Sequence, residues 1–584
     1  MNTEWSLKEF YTGLDDPAYE ADIARVEDKI KEVTDFIEKA DGLSLKELVE
    51  SGLSLREEIV SLLEKLEFYL SMRQSVESGN GDIVAQENRI MKLIADLTPY
   101  DTALDKLLAE IPDVDALGEE SELVREYNFY LKEIQKNAEH LLSDEVEEMV
   151  AAMNLTAGSA WSRLQAYLTS TVEVDYNGEK VTLSEIRNLA YSPDAAVRKA
   201  AYEAELAAYE KIKDPIAFSI NNIKNQVTML CHKRGYESPL AMTLEQSRMK
   251  RETLDALMDA IREYLPVLRK YMRKKGELLG HNDGLPWYDL FAPIGKSGKT
   301  YTLEEARDYL LEVFEKFSPD MSDLMRDAFD NEWIDFYPRK GKVGGAFCAG
   351  ISRYKQSRIL TNYDGSVNSI RTLAHELGHA FHNRQKENGR ILNQSYSMPV
   401  AETASTFNEV HLGQAVMAEA SGEERLGLLE HDLCEYTQIV VDIYSRYLFE
   451  TAVFEQSQSK FLMAEDLKQM MLDAQKTAYG DGLDEQFLHP YMWVNKSHYY
   501  RETLSFYNFP YAFGNLFALG LYALFKKEGE TFVDKYEAML KATPCCTVEE
   551  AAAMVGIDVT DKAFWEASLA EVAREVEEFC AFAI

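Results

Sequence analysis

Apolar positions three and four apart among Glu and Lys dominate the first third of the chain, as in Ile23, Val26, Ile30, Val33 and Ile37. That period predicts amphipathic helices from Asp15-Asp16-Pro17 onward. Helix breaks are expected at Gly52, at Gly79-Asn-Gly-Asp and at Ile111-Pro-Asp, giving helices of bundle length. Thr171 to Leu183 instead alternates around Asn177-Gly178 and predicts a β-hairpin. Helical texture resumes from Arg198 to Gly280, broken by a loop at 235–239. Connecting loop is expected over Asn282–Trp287 and Pro293–Gly298. A second non-helical island, Gly341 to Gly350 followed by Arg358 to Tyr363, predicts two short strands joined by a loop. The region from Leu516 to the end reads as helical scaffold, with Phe564, Trp565 and Phe579 in its apolar stripe.

Composition narrows what such a helical chain does. Its 584 residues are 46% hydrophobic, which is ordinary for a folded protein, but its net charge of −38 is not ordinary. Like charge excludes nucleic acid and anionic membrane surfaces as partners. The segment Met1-Asn-Thr-Glu-Trp-Ser-Leu has no basic start before an apolar run, and no segment is apolar for the length a bilayer needs, so a cytoplasmic protein is expected. Six cysteines without C-x-x-C spacing suggest reduced thiols, Cys348 among them as a plain buried thiol.

The chemistry centres on His375-Glu376-Leu377-Gly378-His379. Residues four apart share a helix face, so the two imidazoles are placed to hold one metal ion, with Glu376 beside it as a general base. Chance alone yields below about 0.03 such matches in a chain of this composition. The surrounding Leu373, Ala374, Leu377, Ala380 and Phe381 make the helix apolar, and a buried His-Glu-His cluster without a cation would be costly. A catalytic zinc takes three protein ligands and leaves one position open. A metzincin would need Gly at 382 and His at 385, whereas the chain has His382 and Gln385. The segment Met398 to Glu409 offers Glu402 as a ligand and Glu409 as a hydrogen-bond acceptor behind a ligand histidine; two solvated glutamates are the competing reading. His382 shares the face of His375 and His379, but a fourth ligand would close the open position, so it is read as a supporting or packing residue.

Taken together, His375-Glu-Leu-Gly-His379, Pro399-Val-Ala-Glu402-Thr-Ala-Ser405, Gly341-Lys-x-Gly-Gly-Ala-Phe347 and Phe506-Tyr-Asn-Phe-Pro-Tyr-Ala-Phe-Gly514 resemble the zinc peptidases of the thimet oligopeptidase and oligoendopeptidase F family, with the oligoendopeptidase F branch nearest. The resemblance spans roughly residues 200 to 580 by motif. It implies one Zn2+ per chain held by His375, His379 and Glu402, with Glu376 as general base. It also implies a mostly α, two-lobed helical zincin of gluzincin type, with a small β region beside a deep channel that admits oligopeptides. The lobes are expected at 1–195, helical, and 196–584, carrying the zinc site.

Glycine in the second island suggests close approach of another backbone, so Gly344, Gly345, Ala346 and Phe347 are candidates to bind a peptide as an added strand. Eleven aromatics fall between Phe487 and Phe517, mostly a packing signal. His498, Tyr507 and Tyr511 differ, because they donate hydrogen bonds that amide hydrolysis needs at its oxyanion. The resemblance places a histidine and tyrosines of this segment opposite the zinc, and leaves open which tyrosine is the main donor. The resulting expectation is an endopeptidase of short oligopeptides. A metallocarboxypeptidase and a non-hydrolytic zinc-containing peptide-binding protein are the alternatives.

Overall fold

The computed structural model describes residues 2–295 and 299–582. Three long helices open the chain: α1 (Pro17–Lys39), α2 (Leu45–Val76) and α3 (Gly81–Ala109). Each begins where the sequence supplies an acceptor for free backbone N–H groups. Asp16 caps α1 ahead of Pro17, Ser44 and Glu47 form a capping box on α2, and Asn80 caps α3. The break expected at Gly52 is absent, and α2 runs straight through it. A Cβ at this position would meet Leu104 Cδ1 at 2.7 Å, so this glycine serves close packing of α2 on α3 rather than a turn.

The hairpin forms as expected. β1 (Val174–Tyr176) pairs antiparallel with β2 (Glu179–Val181), and Asn177 and Gly178 take φ of +53° and +85°, as a two-residue hairpin turn requires. Two long helices follow, α4 (Ala195–Lys233) and α5 (Arg251–Leu278), separated by the expected loop and a short helix, Pro239–Gln246. Part of the loop expected over 293–298 lies outside the described residues.

The second island is a three-stranded sheet. β3 (Ile334–Asp335) is parallel to β5 (Gln356–Leu360), whose other side pairs antiparallel with β4 (Phe347–Ile351). β5 is therefore central and β4 is an edge. The sheet ties the N-terminal helices to the rest: Ile351 and Leu360 join the apolar cluster of α1 to α3, and Val343 N–H donates to Ser75 O at 2.8 Å.

Three further helices build the site, α6 (Val367–Lys386), α7 (Thr403–Glu419) and α8 (Phe509–Glu528), and α9 (Lys562–Ala581) packs into the core beside them. One large apolar core runs from Val174 to Phe579 and contains Leu373, Ala374, Leu377 and Phe381 of α6. Trp565 and Phe579 are buried in it as expected. The fold is thus mostly α with a small β region. No helix among the described residues is long and apolar enough to cross a membrane.

Candidate metal centre and catalytic site

α6 starts at Ser366, whose side chain accepts from Ser369 N–H, and its buried stripe fixes which residues turn away from the core. Its 3.6-residue period brings His375 and His379 to one side, with ring centroids 4.9 Å apart and planes at 84°. α7 crosses α6 in very close contact, made possible by Gly378. A Cβ there would lie 2.6 Å from both Ala404 O and Ser405 Cα. Asn408 Nδ2 donates to Ala374 O at 3.1 Å and fixes the same pair of helices.

That approach delivers Glu402. It sits at the joint between the turn Met398–Ala401 and α7, with φ −93° and ψ 8°, rather than inside one continuous helix. Glu402 Oε2 lies 3.4 Å from His375 Nε2 and 3.3 Å from His379 Nε2, and it accepts from Ser405 Oγ at 2.7 Å. One ligand atom from each of His375, His379 and Glu402 falls within 4.8 Å of the others, the only such metal-competent trio among the described residues. Glu409 lies behind it, with Oε1 2.8 Å from His375 Nδ1.

The electrostatics show how strongly the trio draws positive charge. Burial disfavours a charged His375, but the contact with Glu409 and the carboxylates of Glu376 and Glu402 overcome it and raise the imidazole to about 9. Burial likewise disfavours a charged Glu402, yet His379, His375 and Ser405 pull it down to about 2. The donor set of two nitrogens and one oxygen fits a divalent metal with a position left open. Glu376, only 5% exposed, leaves Oε2 without a hydrogen-bond partner among the described residues, and burial lifts its carboxyl above the usual range. An unpartnered buried carboxylate oxygen beside the trio is the group expected of a base waiting for its proton donor.

His382 does not join the trio. It is buried, stacked on Tyr396 at 4.3 Å, with Nε2 2.7 Å from Thr543 Oγ1. Burial first, then Lys386 and His379, hold it down to about 3, so it is neutral.

The aromatic segment reaches the trio from α8. Tyr511 and Tyr507 rings meet edge to face at 5.4 Å, and the His498 ring lies 4.9 Å from that of Tyr507. Burial, a hydrogen bond with Tyr507 and the negative charge of Glu402 all raise the Tyr511 phenol, which places Tyr511 in the field of the trio. Tyr507 points its hydroxyl at Met398 Sδ, 3.8 Å away. Burial, with Arg446, Arg501 and Lys496 around it, holds His498 down to about 4, leaving a neutral ring with one N–H to give.

Phe347 opens edge strand β4, and Gly344, Gly345 and Ala346 lead into it, Gly345 with φ +81°. Asn362 Nδ2 fixes this approach by donating to Gly345 O at 2.8 Å. Cys348 is a free thiol that burial raises well above its usual range.

Sequence reasoning missed three supporting residues. Gly378 and Ser405 were visible inside quoted motifs, yet only the α6–α7 contact reveals what they do. Arg371, paired with Asp432, anchors the start of the metal-bearing face and left no local signal.

Comparison with known proteins gives the family and the fold. Residues 188–571 match the model for peptidase family M3, and residues 112–173 match the one described as oligopeptidase F. Oligopeptidase PepF of Bacillus subtilis is 26% identical over 98% of this chain and 86% of its own length. Group B oligopeptidase PepB of Streptococcus agalactiae is 26% identical over 93% of this chain and 92% of its own. Among solved structures, a Chlamydophila abortus protein superposes with a TM-score of 0.81 at 20% identity, covering 98% of each chain. Oligoendopeptidase-F of Enterococcus faecium superposes with 0.69 at 20% identity, covering 96% of this chain and 98% of that one.

Proposed function

The chain belongs to peptidase family M3, and from that premise we propose that it is a zinc-dependent endopeptidase cutting internal bonds of short oligopeptides. The observation that carries this is the trio of His375, His379 and Glu402 with the unpartnered Glu376 oxygen beside it. The names of the PepF and PepB relatives support oligopeptides as substrates.

His375, His379 and Glu402 would hold one zinc per chain, a donor set typical of catalytic zinc. When bound, zinc supplies Lewis acidity that brings the pKa of a water toward about 7. Glu376 would accept a proton from the attacking water at Oε2 and return it to the leaving amine. Glu409 fixes the orientation of His375. Tyr511, with His498, donates hydrogen bonds where negative charge builds on the scissile carbonyl; its place in the field of Glu402 favours it over Tyr507. Gly344 to Phe347 align the peptide along the free edge of β4. We assign the lobes to 1–195 and 196–584; two apolar clusters built mainly by the helices before residue 132 support a first lobe, while Val174, Leu183 and Ile186 pack in the large core. A cytoplasmic location is supported by six free cysteines.

The test is a set of quenched peptides with mass spectrometry of the products, with and without chelator. Internal cuts that vanish on chelation and return with zinc support the reading. Trimming only from C-termini favours a carboxypeptidase, and cleavage that survives exhaustive chelation overturns the metal assignment.

A further inference from the structure

Phe506 stands between His498 and Tyr511 with φ of +53°, in the left-handed region. A side chain crowds its own backbone there, so the conformation is costly for a residue other than glycine and persists only where the surroundings impose it. Its ring is buried against Phe454 and Tyr447 and supplies part of the hold. The rest comes from Glu450, on the helix Ile443–Ser457.

Glu450 commits both carboxylate oxygens to the two residues that flank Tyr507. Phe506 N–H donates to Oε1 at 3.1 Å, and Asn508 Nδ2 donates to Oε2 at 3.1 Å. Lys224 of α4 also donates to Oε1, at 2.7 Å, and both charged side chains are buried. Hydrogen bonds to a charged acceptor away from water are strong and fix direction. Asn508 is thereby oriented so that its Oδ1 accepts from Phe509 N–H at 2.7 Å, where α8 begins. One turn past Tyr511, a Cβ at Gly514 would lie 3.3 Å from Pro399 O and 3.4 Å from Glu402 Cβ. The start of α8 is thus pinned at Asn508 by Glu450 and at Gly514 by the joint that carries Glu402.

A buried ion pair adds little net stability over apolar groups of the same volume, so strength alone does not account for Lys224 and Glu450. A carboxylate does offer two acceptor oxygens to two donors on either side of one residue. Glutamine would offer one oxygen and turn an NH2 group toward a donor.

We propose that Glu450 is a positioning residue of the hydrolytic site: it holds the strained turn at Phe506 so that the phenols of Tyr507 and Tyr511 are in place before a peptide binds. The inference rests on the peptidase reading above, in which this segment supplies the oxyanion donors.

The test compares wild type with Lys224→Met/Glu450→Gln, in which neither charge of the pair is left buried alone, and repeats the comparison in a background of Tyr507→Phe with Tyr511→Phe. Bound zinc per chain, KM and kcat are measured with one quenched peptide, and Glu450→Gln alone serves as a second variant. In the wild-type background, kcat should fall by about 10–100-fold while KM and zinc content stay unchanged. Without the two phenols, the same changes should lower kcat by less than about twofold, because the groups that Glu450 positions are gone. A smaller folded fraction would lower kcat by one factor in both backgrounds. That result, or a kcat equal to wild type, overturns the proposal. Failure of wild type to cut any peptide, or full activity without either phenol, would instead count against the reading of the site on which the proposal rests.

Discussion

Replacing Gly378 by Ala adds one methyl group to the metal-bearing helix, at the point where it has least room. The new Cβ would lie 2.6 Å from Ala404 O and Ser405 Cα and 2.8 Å from Ala404 C. All three are backbone atoms and cannot rotate aside. Ordinary contact begins near 3.4 Å, so α6 and α7 must part by roughly 0.8 Å, whereas metal–ligand distances tolerate only about 0.2 Å. Glu402 sits two residues before Ala404 and moves with α7, while both histidines stay on α6. The strain should cost about 1–3 kcal/mol of stability. Detuning the ligand set should cost about 10–100-fold in metal affinity, the range seen when ligand-supporting groups are lost. Zinc affinity measured against a competing chelator, with melting curves of metal-free and loaded protein, separates the two effects. Zinc affinity and melting temperature both equal to wild type would refute the reasoning.

Glu409→Gln removes the carboxylate 2.8 Å from His375 Nδ1, and should weaken zinc by about 10–100-fold in the same competition while leaving the circular dichroism spectrum unchanged. His382 titrates near 3 when folded and near 6.5 when unfolded. Its depressed folded value means that its contribution is fully present above pH 6.5 and is lost as pH falls toward 3, on the order of 5 kcal/mol in all. Melting temperatures from pH 7 to 4 should therefore fall more steeply for wild type than for His382→Gln; parallel curves would contradict this. Tyr511→Phe should lower kcat by about 10²–10³-fold and Tyr507→Phe by less than about tenfold, and the reverse order in steady-state kinetics would reassign the donor.

Local patterns were legible because their physics is local. The helix period gave α1 to α3, Asn177-Gly178 gave the hairpin, and spacing alone put His375 and His379 on one face. Glu402 was legible as a candidate, but its position at a joint between two helical segments was not, since α6 holds it there through a contact at Gly378. Gly52 misled for the related reason that a glycine packing tightly and a glycine turning look alike in sequence. β3 escaped notice because two residues carry no period, and its parallel pairing with β5 spans an intervening strand. The preference for Tyr511 over Tyr507 rests on the charge of Glu402, more than a hundred residues away in sequence, acting on the Tyr511 phenol.

The central claim is that Glu376 moves the proton while His375, His379 and Glu402 hold the metal. Its most direct test is Glu376→Gln, with bound zinc per chain and turnover of a quenched peptide measured on the same preparation. The account predicts one zinc per chain, as in wild type, and turnover lower by about 10³-fold. Appreciable turnover in that variant, shown to be free of contaminating protease, would contradict it.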